Sequence, residues 1–234
     1  MNTATAEVEH GKRFEFGKNW AKFLAILDEE RIKEAEGSLA QMLEVTTLEG
    51  KSFLDVGSGS GLFSLAARRL GARVHSFDYD TQSVGCTKEL KRRYFPNDSR
   101  WTVEQGSVLD RQYLESLGLF DVVYSWGVLH HTGAMWKALE NVSARVADDG
   151  RLFIAIYNDQ KEISRVWKAV KRLYNASALP VRVLLLLICG AYFEMGSAIK
   201  RLARIQNPLP FRRWADYKKG RGMSVWHDLV DWVG

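Results

Sequence analysis

The stretch with the clearest chemical promise is Phe53-Leu54-Asp55-Val56-Gly57-Ser58-Gly59-Ser60-Gly61. An apolar pair leads into an acid, and then glycines stand at every second position. Glycine lets a backbone turn sharply and lets a ligand lie against it with no Cβ in the way. The pattern reads as a short strand, a turn and the start of a helix, and open α/β folds hold nucleotides at such turns. A dinucleotide fingerprint needs glycines at the first, third and sixth positions. Counted from Gly57, the sixth position is Leu62, and the third glycine, Gly61, comes one residue early. A second acid, Asp78, closes the next apolar-rich segment, Arg73 to Phe77. A carboxylate there can accept both ribose hydroxyls of an adenosine in charge-assisted bonds. Asp55 is expected to face a cationic ligand group, since its charge would repel a pyrophosphate.

Asp55-x-Gly57-x-Gly59-x-Gly61, with Asp78 closing the next strand, resembles the S-adenosylmethionine site of class I methyltransferases of the small-molecule type. Within that class the chain most resembles the quinone-biosynthesis O-methyltransferases. The resemblance runs from about Lys51 to Asn158. It implies S-adenosylmethionine as cofactor, held by Asp55, Gly57, Ser58, Gly59, Gly61, Asp78 and Tyr79. It implies that Gly106, Ser107 and Val108, after the third strand, border the adenine, although many relatives carry an acid where Ser107 stands. It implies that Ser125 and Trp126, ending the fourth strand, line the methionine part of the cofactor.

His130 and His131 follow in the same loop. An imidazole titrates near neutral pH, so each is a candidate base for a phenol or hydroxyl acceptor. Each could equally cap the following helix. Tyr157 and Asn158 are candidate acceptor contacts, as is Trp20, which forms an aromatic cluster with Phe14 and Phe16. Adjacent histidines with no third ligand do not make a zinc site, and no metal is expected. The reaction implied is in-line SN2 methyl transfer to a small-molecule acceptor, at oxygen. The alternatives are a cofactor-binding or scaffolding protein without turnover and a nicotinamide-dependent oxidoreductase. The missing sixth-position glycine and Asp55 oppose the latter. Nucleic acid is not the expected acceptor, because no Asn-Pro-Pro-Tyr sequence follows the fourth strand.

These residues need a scaffold, and alternating strand and helix patterns supply one. Strands are expected at Ser52–Val56, Arg73–Phe77, Trp101–Gln105, Asp121–Ser125 and Leu152–Tyr157. Helices are expected from Leu62 to Leu70, Thr81 to Tyr94, Gln112 to Leu117 and Ala134 to Val146, the last ending at the turn Asp148-Asp149-Gly150. The fold class is therefore α/β, a Rossmann-like doubly wound, mostly parallel sheet. The two further strands with which class I methyltransferases usually finish are not evident after Tyr157. Residues 1–50 form an N-terminal helical cap, 51–158 the cofactor-binding core, and 159–234 a helical basic appendage. Trp20, Phe23, Leu24 and Leu27, then Leu39, Met42 and Leu43, carry the helical spacing of the cap.

The chain has 234 residues, a net charge of +5 and two distant cysteines, Cys86 and Cys189. That usage points to a reducing, cytoplasmic setting, and the first residues lack the layout of a signal peptide. From Lys161 to Arg221 fourteen Lys or Arg face three acids, so the appendage could meet an anionic or lipophilic acceptor or a membrane surface. Its apolar stretch, Val181 to Tyr192, is too short by itself to span a bilayer, which needs about 20 residues. The oligomeric state is not legible.

Overall fold

The computed structural model describes residues 24, 25, 27–158, 161–204, 229, 230 and 233. Trp20, Phe14, Phe16 and Phe23 lie outside the described residues. Five strands are described: β1 (Ser52–Val56), β2 (Arg73–Asp78), β3 (Trp101–Gln105), β4 (Phe120–Trp126) and β5 (Val146–Ala155). The helices are α1 (Glu29–Leu43), α2 (Leu62–Arg69), α3 (Thr81–Tyr94), α4 (Arg111–Ser116), α5 (Met135–Ser143), α6 (Glu162–Ala176) and α7 (Leu179–Ala203).

Every residue of β1 is buried, which suits a parallel strand covered on both faces. The sheet order is β3-β2-β1-β4-β5, and each neighbouring pair is parallel. Alternate residues of β1 serve opposite layers. Phe53 joins Val74, Val122 and Tyr124 beneath Leu65 and Ala66 of α2, Leu90 of α3, and Ile32 and Leu39 of α1. Leu54 and Val56 join Phe77 and Val123 against Leu114 of α4 and Ala138 and Val142 of α5. The sheet is thus wound on both sides. Side chains buried this fully contribute about 1.5–3 kcal/mol each.

The start of the β1–β4 seam is clamped by side-chain bonds. The Asp121 carboxylate accepts from the Ser52 amide at 2.8 Å and the Ser52 hydroxyl at 2.7 Å. The Asp121 amide donates back to Ser52 Oγ at 2.9 Å. α1 begins at the cap Asp28, whose side chain accepts from the Arg31 amide, and turns its Ile32, Ala35, Leu39 and Leu43 face inward.

Four expectations need correction. α5 stops at Ser143, three residues before Val146. β5 begins at Val146 rather than Leu152 and ends at Ala155 rather than Tyr157. The expected turn at Asp148-Asp149-Gly150 lies inside β5 as an irregularity: Phe120 pairs with Val146 but Val122 pairs with Arg151, and Asp149 adopts a left-handed φ of 48°. The apolar stretch of the appendage belongs to α7, which has 25 residues and is long and apolar enough to cross a membrane by length and composition. The remaining elements match the expected spans to within a residue or two.

The chain forms two compact units, Met1–Tyr157 and Asn158–Gly234. The second contains α6 and α7, whose shared core includes Leu186 and Cys189 packed with Trp167, Val170 and Tyr174. His227, Asp228 and Asp231 lie outside the described residues.

Candidate functional site

The strand order reverses at β1. The chain runs from β1 outward to β2 and β3, then returns to place β4 on the other side of β1. Helices leaving β1 and β4 therefore depart to opposite faces and leave a crevice at the carboxyl ends of these two strands, where open α/β sheets bind ligands. The loop after β1 carries the glycines and the loop after β4 carries the histidines.

Gly57, Gly59 and Gly61 have φ values of 78°, 55° and 83°, a region that disfavours any side chain. Space forbids one too. A Cβ on Gly57 would stand 2.5 Å from Val128 Cγ2, and one on Gly61 would stand 2.8 Å from Thr87 Cα. The loop is tied to β2 by the amides of Gly57 and Ser58, which donate to the Phe77 carbonyl at 2.9 and 3.1 Å. Ser58 Oγ lies 2.9 Å from Thr87 Oγ1 on α3. The Asp78 carboxylate, at the end of β2, accepts from the Gly59 amide at 3.0 Å and the Asp80 amide at 2.9 Å. This acid is held against the glycine turn, the location that suits ribose hydroxyls beside a bare backbone. Tyr79, half-buried, accepts from Gln105 through its carbonyl.

Asp55 takes a different role from the one expected. It is 3% exposed, and its carboxylate points beneath the loop to Ser64, whose hydroxyl donates at 2.5 Å. Ser64 has one proton, so at the next link Ser76 donates to Ser64 across 2.7 Å, and Trp101 Nε1 donates to Ser76 at 2.9 Å. A one-way chain of donors thus runs from β3 to the acid of β1. Burial drives the Asp55 pKa up, against the Ser64 bond and with help from the charge of Asp78, to about 7. A cationic ligand group is not in reach of a carboxylate so enclosed.

The third loop also differs in detail. Gly106 donates to the Asp78 carbonyl, and a Cβ there would stand 2.3 Å from the Tyr113 ring. Ser107 Oγ accepts from the Leu109 amide in a local turn. Val108 is buried, and its carbonyl accepts from Asn141 at 2.9 Å. Its side chain joins the α4–α5 core.

At the end of β4, Ser125 is fully buried and donates to the Val56 carbonyl at 3.1 Å, joining the two strands beside the crevice. Trp126 points the other way, half-exposed, with its ring 6.0 Å from Phe153 and 6.4 Å from Phe63. His130 packs between His131, with ring centroids 4.1 Å apart, and Tyr157, at 4.4 Å. Both ring nitrogens of His130 are buried and lack a hydrogen-bond partner among the described residues. Burial lowers its pKa below the usual imidazole value, so the ring is neutral near pH 7. His131 is exposed, as is Tyr157. Asn158, also exposed, is the first residue of the second unit.

Sequence reasoning missed Ser64, Ser76, Thr87 and Asn141. Each is a small polar residue inside an element, and its partner is 9 to 33 positions away. A single sequence gives no signal for such pairings.

The family described as a methyltransferase domain matches residues 27–184. The ribosomal protein L11 methyltransferase of Anoxybacillus flavithermus is 33% identical over 118 residues, covering 44% of this chain and 38% of that protein. The tRNA U34 carboxymethyltransferase of Cronobacter sakazakii is 31% identical over 110 residues, covering 47% and 33%. The chain thus spans between about a third and two fifths of the length of these curated relatives. In fold it is similar to magnesium protoporphyrin IX methyltransferase from Synechocystis PCC 6803 with bound SAH, with a TM-score of 0.51 and 16% identity over 70% of this chain and 76% of that one.

Proposed function

The chain belongs to the methyltransferase-domain family, and from that premise we propose that it transfers a methyl group from S-adenosylmethionine to a small-molecule acceptor, at oxygen. One observation carries the reading. The Asp78 carboxylate is fixed against the Gly59 amide at the point where the strand order reverses. This cradle fits an adenosyl group: a tight glycine turn, with an acid held beside its backbone and the β4 loop across the crevice. Bound there, S-adenosylmethionine supplies a methyl already activated on a sulfonium.

The tasks left to the protein are alignment and exclusion of water. Gly57, Gly59 and Gly61 give the turn its left-handed backbone, with Val128 and Thr87 packed on Gly57 and Gly61, and Asp78 orients the ribose. Asp55, through Ser64, holds the turn from below as a positioning residue. Trp126 and Tyr157 offer exposed aromatic faces on which an acceptor ring can stack. His130 takes the acceptor's proton. A neutral imidazole whose ring nitrogens have no hydrogen-bond partner among the described residues supports this role, and it is the feature that favours oxygen. His131, exposed and packed on His130, is the second candidate base.

The names of two relatives support a second reading, in which the acceptor is a ribosomal protein or a tRNA. Purified protein with methyl-labelled S-adenosylmethionine, offered phenolic and hydroxylated small molecules, ribosomal protein and tRNA in parallel, separates the readings. Label in an alkali-stable small-molecule ether is expected. Label in protein or tRNA alone would move the assignment to the second reading. A thermal shift given by S-adenosylhomocysteine with no transfer to any acceptor would leave a binding protein without turnover, and a larger shift with NAD would point to a nicotinamide enzyme. Asp78→Ala is expected to weaken cofactor binding by about tenfold to a hundredfold, as befits the loss of charge-assisted bonds.

A further inference from the structure

α7 carries more apolar surface than its own unit covers. Its inner side packs on α6, where Trp167 lies flat on Phe193 with centroids 5.4 Å apart. Its other side presents Leu184, Leu187, Ile188, Met195, Ile199 and Leu202, each 54 to 67% exposed. Steps of three and four residues put all six on one helix face, and Ala191 fills the interval between Ile188 and Met195. The stripe runs for about five turns with no charge in it. Soluble monomers seldom expose apolar patches beyond a few hundred Å².

The charges lie elsewhere on the same two helices. From Lys161 to Arg204 there are nine Lys or Arg and two acids, Glu162 and Glu194. Glu194 is already paired with Arg201 at 3.5 Å. On α7 the cations sit near the ends, Arg182 at one and Lys200, Arg201 and Arg204 at the other, turned away from the apolar stripe. Arg182 also anchors the turn between the helices, donating to the carbonyls of Ser177 and Asn175 at 2.8 and 2.9 Å. On α6, Arg165, Lys168 and Arg172 are exposed on the side opposite Trp167, Val170 and Tyr174.

A helix of this length and hydropathy could cross a membrane. Crossing would draw its packed neighbour α6, with its cations, into hydrocarbon, where charged side chains are costly. Lying flat avoids that cost. The apolar stripe meets the acyl chains, the basic ends reach head groups on long flexible stems, and α6 remains in water.

We propose that the α6–α7 hairpin is a docking surface for an anionic lipid bilayer. The face of α7 from Leu184 to Leu202 is the part that enters it, in the plane of the membrane. The cations at the two ends of α7, Arg182 and Lys200, Arg201 and Arg204, favour anionic over neutral lipid. This holds whichever acceptor the first unit methylates.

The test is co-sedimentation of the full chain with vesicles of phosphatidylcholine alone and of phosphatidylcholine containing about 30% phosphatidylglycerol. The protein is expected to pellet with the mixed vesicles and at least about tenfold less with the neutral ones, and raising salt to about 0.5 M should weaken the binding. The double variant Leu187→Glu, Ile188→Glu should bind the mixed vesicles at least about tenfold more weakly, because two apolar anchors become charges. Both positions are exposed, and unchanged helical circular dichroism will show that the hairpin survives. Any of three results overturns the proposal. The protein could stay in the supernatant with both vesicles, or the double variant could bind undiminished. Lastly, sedimentation could show a lipid-free dimer that the double variant splits, which would assign the stripe to a second copy of the chain.

Discussion

At the scale of single residues, protonation and close approach decide what the site can do. In the role proposed for it His130 must be neutral to accept a proton, and burial has pushed its pKa below the ordinary imidazole value. Turnover is therefore expected to hold steady through neutral pH and to fall only on the acid side of the ordinary imidazole value. His130→Gln should lower kcat by about 10²- to 10⁴-fold, with KM changed far less, and should abolish that acid limb. A merely structural histidine would leave the limb in place. Asp55 has the opposite sign of linkage. Its pKa rises from an unfolded value near 3.8 to about 7, so its contribution to stability is full below about 3.8 and gone above about 7. Melting temperature should decline across that interval, and Asp55→Asn, which still accepts from Ser64, should flatten the decline. Gly57 is governed by space. Gly57→Ala places a methyl at 2.5 Å from Val128 in a left-handed backbone, and should cost about 1–3 kcal/mol by denaturant melting. Adding Val128→Ala should recover only the steric part.

At the scale of elements, the strands carry the site because their ends coincide. The Asp121 clamp at the far end of β1 and β4 sets the register that brings Ser125 opposite the Val56 carbonyl. The Ser52 amide, then its hydroxyl, then Lys51 hold the Asp121 pKa down to about 2. A depressed carboxylate stabilises above its unfolded value and loses that contribution as the pH falls toward the folded one. Asp121→Asn should therefore lower stability by about 1 kcal/mol at pH 7 and reduce the loss seen between about pH 4 and pH 2, both measured by urea titration. Much of this layer was legible. β1, β3 and α3 match their expected spans because turn residues bound them on both sides. β5 did not, since Asp148-Asp149-Gly150 has the chemistry of a turn and the strand absorbs it as a break in register. The glycine turn and Asp78 were equally plain. The direction of Asp55 was not: β1 is buried on both faces, so no polar alternation shows which layer each side chain enters.

At the scale of the whole molecule, the chain divides after Tyr157, which is 72% exposed and lies outside any strand or helix. Brief digestion with chymotrypsin should cut there before it cuts at Trp136 or Tyr192, whose backbones are held in helices. Mass spectrometry of the first fragments checks this, and early cleavage inside α7 would contradict it. The strand order also governs how the protein is made. β1 meets β2 across about twenty residues of sequence but meets β4 across 69, Phe53 facing Val122. A nascent chain that has released β3 already owns three paired strands and the glycine turn, yet one edge of β1 stays bare and adhesive. The crevice gains its far wall when Trp126 clears the ribosome. Until then a growing polypeptide has half a binding place, and metabolites have nothing to close upon.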